Sequence, residues 1–206
     1  MAEEVALDFA PSELIARRLR RIALISAEVG LAAGLVSAIF LRWQIAVLIG
    51  VAIGAPVAVF AFFLARRRMW LSGTVIHATR AFSERRVDLS AVTSVQLSVL
   101  VGRYNQVSLV VGDPGGSITI LLAIYMEAAG RELGAVALRK LADGLAASEL
   151  VSAASVSSVL IGQLRAEARD AVLGDRPLYR ALALARDAGR TGLTTLSDTE
   201  VAGLLD

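Results

Sequence analysis

The sequence predicts a membrane α+β protein, in which a transmembrane pair of helices precedes an antiparallel β-domain closed by a helix and a short helical extension. Three observations lead to this fold class. The 206 residues are 56% hydrophobic and their mean hydropathy is +0.65, above that of an ordinary soluble domain. Two apolar segments of transmembrane length lie near the N-terminus. Beyond residue 68 the apolar pattern changes to the short alternating runs of strands, and then to helical spacing.

These changes of pattern predict four segments, which are an N-terminal segment (1–21), a transmembrane hairpin (22–68), a β-domain (69–147) and a helical extension (148–206).

The apolar region reads as two crossings of a membrane, with spans at 22–41 and 45–64. Each span has about the 20 residues that a bilayer core of about 30 Å requires. One continuous helix over both spans would be about 64 Å long at about 1.5 Å per residue. It would also place Arg42 in hydrocarbon, at a cost of at least about 2.5–3.5 kcal/mol. A hairpin places Arg42 and Gln44 in water instead, and Trp43 at the interface.

Basic residues flank both spans and predict the orientation. Arg17, Arg18, Arg20 and Arg21 precede the first span, and Arg66, Arg67 and Arg68 follow the second. Cytoplasmic flanks carry the excess of Lys and Arg, so both termini are expected in the cytoplasm. The predicted membrane-interface residues are Arg42, Trp43, Arg66, Arg67, Arg68 and Trp70. The run at 66–68 is also a candidate site for anionic lipid.

Small residues at four-residue spacing predict that the two spans pack closely. Gly30 and Gly34 lie in the first span, and Gly50 and Gly54 lie in the second. In lipid, where the hydrophobic effect does not drive helices together, such residues let backbones approach. The glycine faces can pack within one hairpin or between two chains, and the sequence leaves both open.

Glu28 is a candidate intramembrane polar site. It lies six residues inside the first span, about 9 Å from its end at about 1.5 Å per residue. Intramembrane carboxylates often mark ion or proton pathways. Its position near the edge and the absence of a charged residue in 45–64 leave its role open.

Short β-branched runs follow the second span and predict an antiparallel meander of at least five strands. The runs are Thr74–Phe82, Arg85–Leu89, Ser94–Leu100, Asn105–Val111 and Ser117–Leu122. The loop "GDPGG" between the last two has the Pro and Gly residues of a hairpin turn. Helical spacing then predicts an amphipathic helix over Glu127–Leu145 that closes the sheet.

This region resembles the bacterial PH-like domain family in its membrane-anchored form. The resemblance rests on "LSGTVI…R" at Leu71–Arg80, "RRVDLSAVTSV" at Arg85–Val95 and "LVVGDPGGSITILL" at Leu109–Leu122, and it covers about Arg20–Gly144. It implies a PH-like barrel or sandwich, a bacterial plasma membrane, a domain without catalytic residues, and a role in oligomerisation or partner binding.

The C-terminal extension is predicted to be helical. Ser148–Leu173 reads as one helix, with Val156, Leu160, Leu164 and Ala168 on its apolar stripe. Pro177 fits the first turn of a second helix, which ends near Gly189. Ser197 and Glu200 have the spacing of a capping box before a third. The extension can cover the β-domain or bind a partner, and both interpretations fit.

Composition argues against several functional classes. The chain has no Cys and one His, His77, which is too few for thiolate or histidine metal sites; His77 is expected to be a half-buried strand residue. The "GDPGG" loop lacks the Lys and Ser/Thr of a phosphate-binding loop. From 69 to 206 there are 13 Arg and Lys against 14 Asp and Glu, which does not suit nucleic-acid binding. No catalytic residue, cofactor or metal site is predicted.

The expected function is that of a non-enzymatic, membrane-anchored scaffold or adaptor that binds a protein partner or forms a homo-oligomer. Two alternatives stay open. One is a lipid or ligand sensor that uses the β-domain and Arg66–Arg68, and the other is an accessory subunit of a membrane transport complex.

Overall fold

The computed structural model describes residues 4–8, 12–40, 42–65, 68–80, 83–126 and 129–205. They belong to two compact units. One unit takes in Met1–Phe9, Met69–Ala78 and Arg85–Asp206, and the other takes in Ala10–Arg68 and Thr79–Glu84. The fold is therefore α+β, with an N-terminal helix pair, two antiparallel sheets and C-terminal helices.

The helix pair consists of α1 (Ser12–Phe40) and α2 (Trp43–Ala65). Among the described residues, one stretch is long and apolar enough to cross a membrane, Arg21–Ile39 in α1. The apolar stretch identified in α2, Trp43–Pro56, is shorter. Pro56 lies inside α2.

Both helices extend beyond the predicted spans. Helix α1 begins at Ser12, ten residues before the span predicted at 22–41, and the apolar stretch of membrane length within it, Arg21–Ile39, lies close to that span. An arginine-rich turn is compatible with a helix even where it is unsuited to hydrocarbon. Trp43 and Gln44, which were expected in the connection, form the first turn of α2. The carbonyl of Arg42 starts this helix by accepting from the amides of Ile45 at 2.9 Å and Ala46 at 3.2 Å.

The first sheet contains β1 (Glu4–Ala6), β2 (Arg68–Ser72), β3 (Val75–Arg80) and β4 (Ser83–Asp88), in that spatial order. Strand β1, which was not predicted, pairs antiparallel with β2 and places Glu4 opposite Ser72. Gly73 takes the positive φ of 61° that the turn between β2 and β3 requires.

The second sheet has five strands in the order β8-β7-β6-β5-β9. They are β5 (Ser94–Val101), β6 (Asn105–Asp113), β7 (Gly116–Met126), β8 (Ala129–Glu132) and β9 (Gly192–Thr195). The predicted single meander is thus divided between two sheets. The chain leaves the first sheet through a 3₁₀ turn at Leu89–Ala91, where Asp88 accepts from the amide of Ser90 at 3.0 Å. This bond lowers the pKa of the Asp88 carboxyl.

The closing helix α3 spans Ala135–Ala146, so the expected start at Glu127 is wrong. Strand β8 occupies part of that region and pairs with the end of β7, with Met126 opposite Ala129. A neighbouring strand supplies partners for the backbone here, and a periodicity count along the chain does not detect such a partner. Gly134 is the N-cap residue of α3 and not part of its buried face.

The C-terminal helices are α4 (Val151–Ala168), α5 (Pro177–Asp187) and α6 (Asp198–Ala202). Pro177 in the first turn of α5 and the capping box at Ser197 are confirmed. The helix expected over Ser148–Leu173 is shorter at both ends. Its predicted stripe is also partly wrong, since Ala168 is exposed whereas Ala153 and Gln163 are buried.

The buried apolar side chains of both sheets, α3, α4 and α5 belong to one hydrophobic cluster. Helix α5 lies against β5, β6 and β7, and β9 adds a strand beside β5. The Ser157 hydroxyl in α4 donates to the Ala142 carbonyl in α3 at 2.8 Å. The extension is therefore part of the same compact unit as the sheets.

Candidate functional site

The four glycines singled out in the sequence lie together between α1 and α2. A Cβ at Gly30 would lie 2.7 Å from the Gly50 carbonyl oxygen and 2.9 Å from the Gly54 Cα. A Cβ at Gly34 would lie 3.3 Å from the Ala46 carbonyl oxygen. The two backbones are thus close enough at Gly30 to leave no room for a side chain, and the helices run antiparallel.

The outer surface of this pair is apolar and exposed. Leu31 is 68% exposed and Ile39 75% exposed in α1, and Leu48 is 70% exposed in α2. Within the stretch Arg21–Ile39 only 6% of the residues are buried, so α1 is not the core helix of a soluble domain here. A soluble monomer rarely exposes a contiguous apolar surface of this extent.

Four of the six predicted interface residues lie in the described part of the chain. Arg42 and Trp43 are exposed where α1 and α2 meet. Arg68 is exposed at the start of β2. Trp70, in the same strand, is half-buried and stacks on His77, with ring centroids 5.1 Å apart. Arg66 and Arg67 lie outside the described residues.

Glu28 is exposed on α1, two residues from Gly30. Because successive helical residues are about 100° apart at about 3.6 per turn, Glu28 lies on the side of α1 turned away from α2. The described part of the chain offers it no ion pair within 4.0 Å. The structure does not bring Glu28 together with the glycines.

The chain segments before α1 and after α2 are joined by strand pairing, which sequence reasoning missed. The amide of Leu7 donates to the carbonyl of Met69 at 2.9 Å, and β1 continues the pairing up to Glu4 opposite Ser72. Leu7 and Leu71 are both buried. The available signal was the alternation of Val5 and Leu7 with their neighbours, which is too short for a strand prediction.

A second missed feature is a polar cluster where the extension meets the second sheet. Arg176, just before α5, donates to Oε2 of Glu132 in β8 at 2.7 Å. The Tyr125 hydroxyl in β7 donates to Oε1 of the same carboxylate at 2.7 Å. Burial, with a further contribution from Glu132, raises the pKa of Tyr125. The cluster fixes the position of α5 on the sheet.

The described residues include no group of three or more His, Cys, Asp or Glu placed to hold a metal ion. Comparison of the chain with protein-family models, with curated proteins and with solved structures finds no match. The candidate site is therefore defined by the geometry of this chain alone, as an exposed apolar helix pair that comes between two paired strands in the sequence.

Proposed function

We propose that the protein is a non-enzymatic, membrane-anchored binding module. Helices α1 and α2 cross the membrane as a hairpin, and the unit of sheets and C-terminal helices presents surfaces to a protein partner or to a second copy of the chain. One observation carries this proposal, the hydrogen bond from the Leu7 amide to the Met69 carbonyl at 2.9 Å.

The bond constrains the number of crossings. Leu7 precedes α1 and Met69 follows α2, and hydrogen-bonded strands lie about 5 Å apart. Both residues must therefore be on the same side of any membrane. If α1 crosses, α2 must cross back, although its described apolar stretch is the shorter one. The pairing also argues against a cleaved signal sequence, since cleavage within α1 would separate β1 from the sheet that it completes.

The exposed surface of the helix pair supports insertion into lipid. An apolar helix of 19 residues, such as Arg21–Ile39, is long enough for the hydrocarbon core. In water, the exposed apolar side chains of both helices would make the protein prone to aggregation. The basic residues at 17–21 and 66–68 favour the cytoplasm for both flanks, and hence for the strand-bearing unit.

The order of elements favours the PH-like interpretation of this unit. A four-stranded sheet is followed by the β5-β6-β7 hairpins and, after the short strand β8, by α3. Gly144 of α3 lies against Leu89, at the passage between the sheets, and a Cβ there would be 3.3 Å from the Leu89 Cβ. In this interpretation the helix pair is inserted between the first two strands of the domain. Family members that this chain resembles use the domain for oligomerisation or partner binding.

Cysteine labelling tests the anchoring, because the chain contains no Cys. Single variants Gln44→Cys, in the first turn of α2, and Glu149→Cys, between α3 and α4, both change exposed positions. In intact spheroplasts, we expect a membrane-impermeant maleimide to label Gln44→Cys at once and Glu149→Cys only after permeabilisation. Ile53→Cys, at an exposed apolar position in the middle of α2, should stay unlabelled in both conditions.

Labelling of Gln44→Cys and Glu149→Cys from the same side would refute the crossing, and recovery of the chain in the soluble fraction would refute the anchor.

Cross-linking in native membranes then distinguishes a second copy of the chain from a different protein partner. Homo-oligomers give bands at multiples of 21.7 kDa, and a different protein gives other increments.

A further inference from the structure

Three arginines surround a cavity in the C-terminal helices that the anchoring function does not use. The cavity has a volume of about 500 Å³ and lies between α4, α5 and the last turn of the chain. Arg165 lies in the last turn of α4, Arg169 is the residue that follows this helix, and Arg180 extends from α5.

The positive charges of this cavity are only partly balanced by the described residues around them. None of the three guanidinium groups forms an ion pair with a described residue within 4.0 Å. The Nε of Arg169 donates to the carbonyl of Arg165 at 3.1 Å, which directs that side chain along α4. Asp175 is the one acidic side chain among the described lining residues. The described lining therefore carries three positive charges and one negative charge, and Arg165 and Arg169 are exposed to solvent, where an anion can reach them.

The walls of the cavity are apolar where the arginines do not reach. Ile161, Pro177 and Leu205 line it, and Leu205 is close enough to Gly162 that a Cβ there would lie 2.8 Å from its Cδ2. A volume of about 500 Å³ is within the range of small-molecule sites, roughly 300–1,000 Å³. It is larger than an inorganic anion needs, so the lining fits a ligand with both an anionic group and an apolar body.

The geometry points to a binding site for a phosphomonoester attached to an apolar group. Guanidinium groups pair with phosphate oxygens through two parallel hydrogen bonds. The charge of a phosphomonoester at neutral pH, about −1.5 to −2, matches the net charge of the described lining. Such a group occurs on anionic lipids and on soluble phosphorylated metabolites. This site is an addition to the proposed anchoring function, and ligand binding to the cavity does not depend on whether α1 and α2 cross a membrane.

The test uses the full chain in a neutral detergent and two probes, phenyl phosphate and dihexanoyl phosphatidic acid, followed by calorimetric titration. We expect saturable binding of at least one probe and none of dihexanoyl phosphatidylcholine, which has no phosphomonoester. Tighter binding of phenyl phosphate assigns the site to soluble ligands, and tighter binding of the phosphatidic acid assigns it to lipid. Failure of both probes to bind would overturn the inference.

Variants locate the binding in the cavity. Arg165→Gln/Arg180→Gln should weaken it roughly a hundredfold or more, the loss expected for two charge-assisted hydrogen bonds. Arg165→Lys/Arg180→Lys keeps the positive charges but lacks the planar guanidinium groups. Its affinity for the probe should lie between those of the Gln double variant and the wild type. The matched control is Arg186→Gln, an exposed position on α5 that does not line the cavity. An equal loss in Arg186→Gln, with unfolding temperatures unchanged, would show unspecific attraction and overturn the site.

Discussion

Arg176 and Glu132 are 44 residues apart in the chain and form an ion pair of 2.7 Å between the C-terminal extension and strand β8. The Glu132 side chain is 8% exposed and that of Arg176 26% exposed. A carboxylate this deeply buried needs its donors, because an unpaired buried charge is costly. The pair therefore makes the folding of the extension and of the second sheet depend on each other.

Removing the arginine should destabilise the whole strand-bearing unit. We expect Arg176→Ala to lower the free energy of unfolding by about 2–3 kcal/mol, below the 3–5 kcal/mol of a fully buried pair because Arg176 is partly solvated. Arg186→Ala, on the exposed side of α5, should cost less than about 0.5 kcal/mol. Denaturant titration of the intact chain in detergent, monitored by circular dichroism, measures both. Equal effects of the two variants would contradict this account of the docking.

The raised pKa of Tyr125 predicts a loss of stability at high pH. Burial and the bond to Glu132 keep the phenol protonated in the folded state. Up to about pH 10, the ordinary pKa of tyrosine, both states hold the proton and the stability is unaffected. Above it the unfolded state loses the proton first, so the free energy of unfolding should fall by up to about 1.4 kcal/mol per pH unit.

Tyr125→Phe should remove this slope while also costing stability at neutral pH, because the hydroxyl no longer donates to Glu132. Tyr104→Phe, at an exposed tyrosine, is the control and should keep the wild-type slope. The measurement is the denaturant midpoint between pH 9 and 11. Parallel curves for the wild type and Tyr125→Phe would contradict the prediction.

At low pH the capping box of α6 should weaken. The Ser197 amide donates to Glu200 at 2.8 Å, and Arg190 also donates to this carboxylate. With the backbone bond as the larger cause, these contacts lower the pKa of Glu200 to about 2. A carboxyl whose pKa is lowered by folding stabilises the folded state at any pH above its ordinary pKa of about 4.3. This stabilisation is lost as the pH falls from about 4.3 through about 2.

Glu200→Gln should therefore flatten the acid limb of the stability curve between about pH 4.3 and 2. Ser197→Ala should cost about 1 kcal/mol at neutral pH, as for other caps. Asp187→Asn, at an exposed position on α5, is the control. If Glu200→Gln and the wild type lost stability in parallel below pH 4, the carboxylate would not have the assigned role.

Local patterns predicted the features that local interactions determine. The capping box at Ser197, the start of α5 at Pro177 and the turn in "GDPGG" depend on neighbours in sequence, and each is present. Strands β1, β8 and β9 have three or four residues each, and they form because a partner strand is already in place. Short strands carry too few alternating residues to be detected. The bond between Leu7 and Met69 joins residues far apart in the chain, and the cavity of Arg165 and Arg180 is completed by Leu205 from the last turn, so no local pattern indicates either of them.

The glycines between α1 and α2 predict a graded response to added methyl groups. At Gly30, a Cβ would lie 2.7 Å from the Gly50 carbonyl oxygen and 2.9 Å from the Gly54 Cα, and backbone atoms cannot rotate away. At Gly34, the nearest approach is 3.3 Å, to the Ala46 carbonyl oxygen. Gly30→Ala should therefore force the helices apart, at about 1–3 kcal/mol, and Gly34→Ala should have a smaller effect.

Spin labels measure this separation directly in a chain without native Cys. Labels at Leu24 and Phe60, both exposed, report the distance between the helices near the end opposite Arg42. In lipid nanodiscs, Gly30→Ala should lengthen and broaden the distance distribution, and Gly34→Ala should broaden it less. Ala32→Leu adds more volume at an exposed position of α1 and should leave the distribution unchanged. If Gly30→Ala matched the wild type, the close approach of the two backbones would not exist in lipid, whereas an effect of Ala32→Leu would indicate contact with another chain on that face.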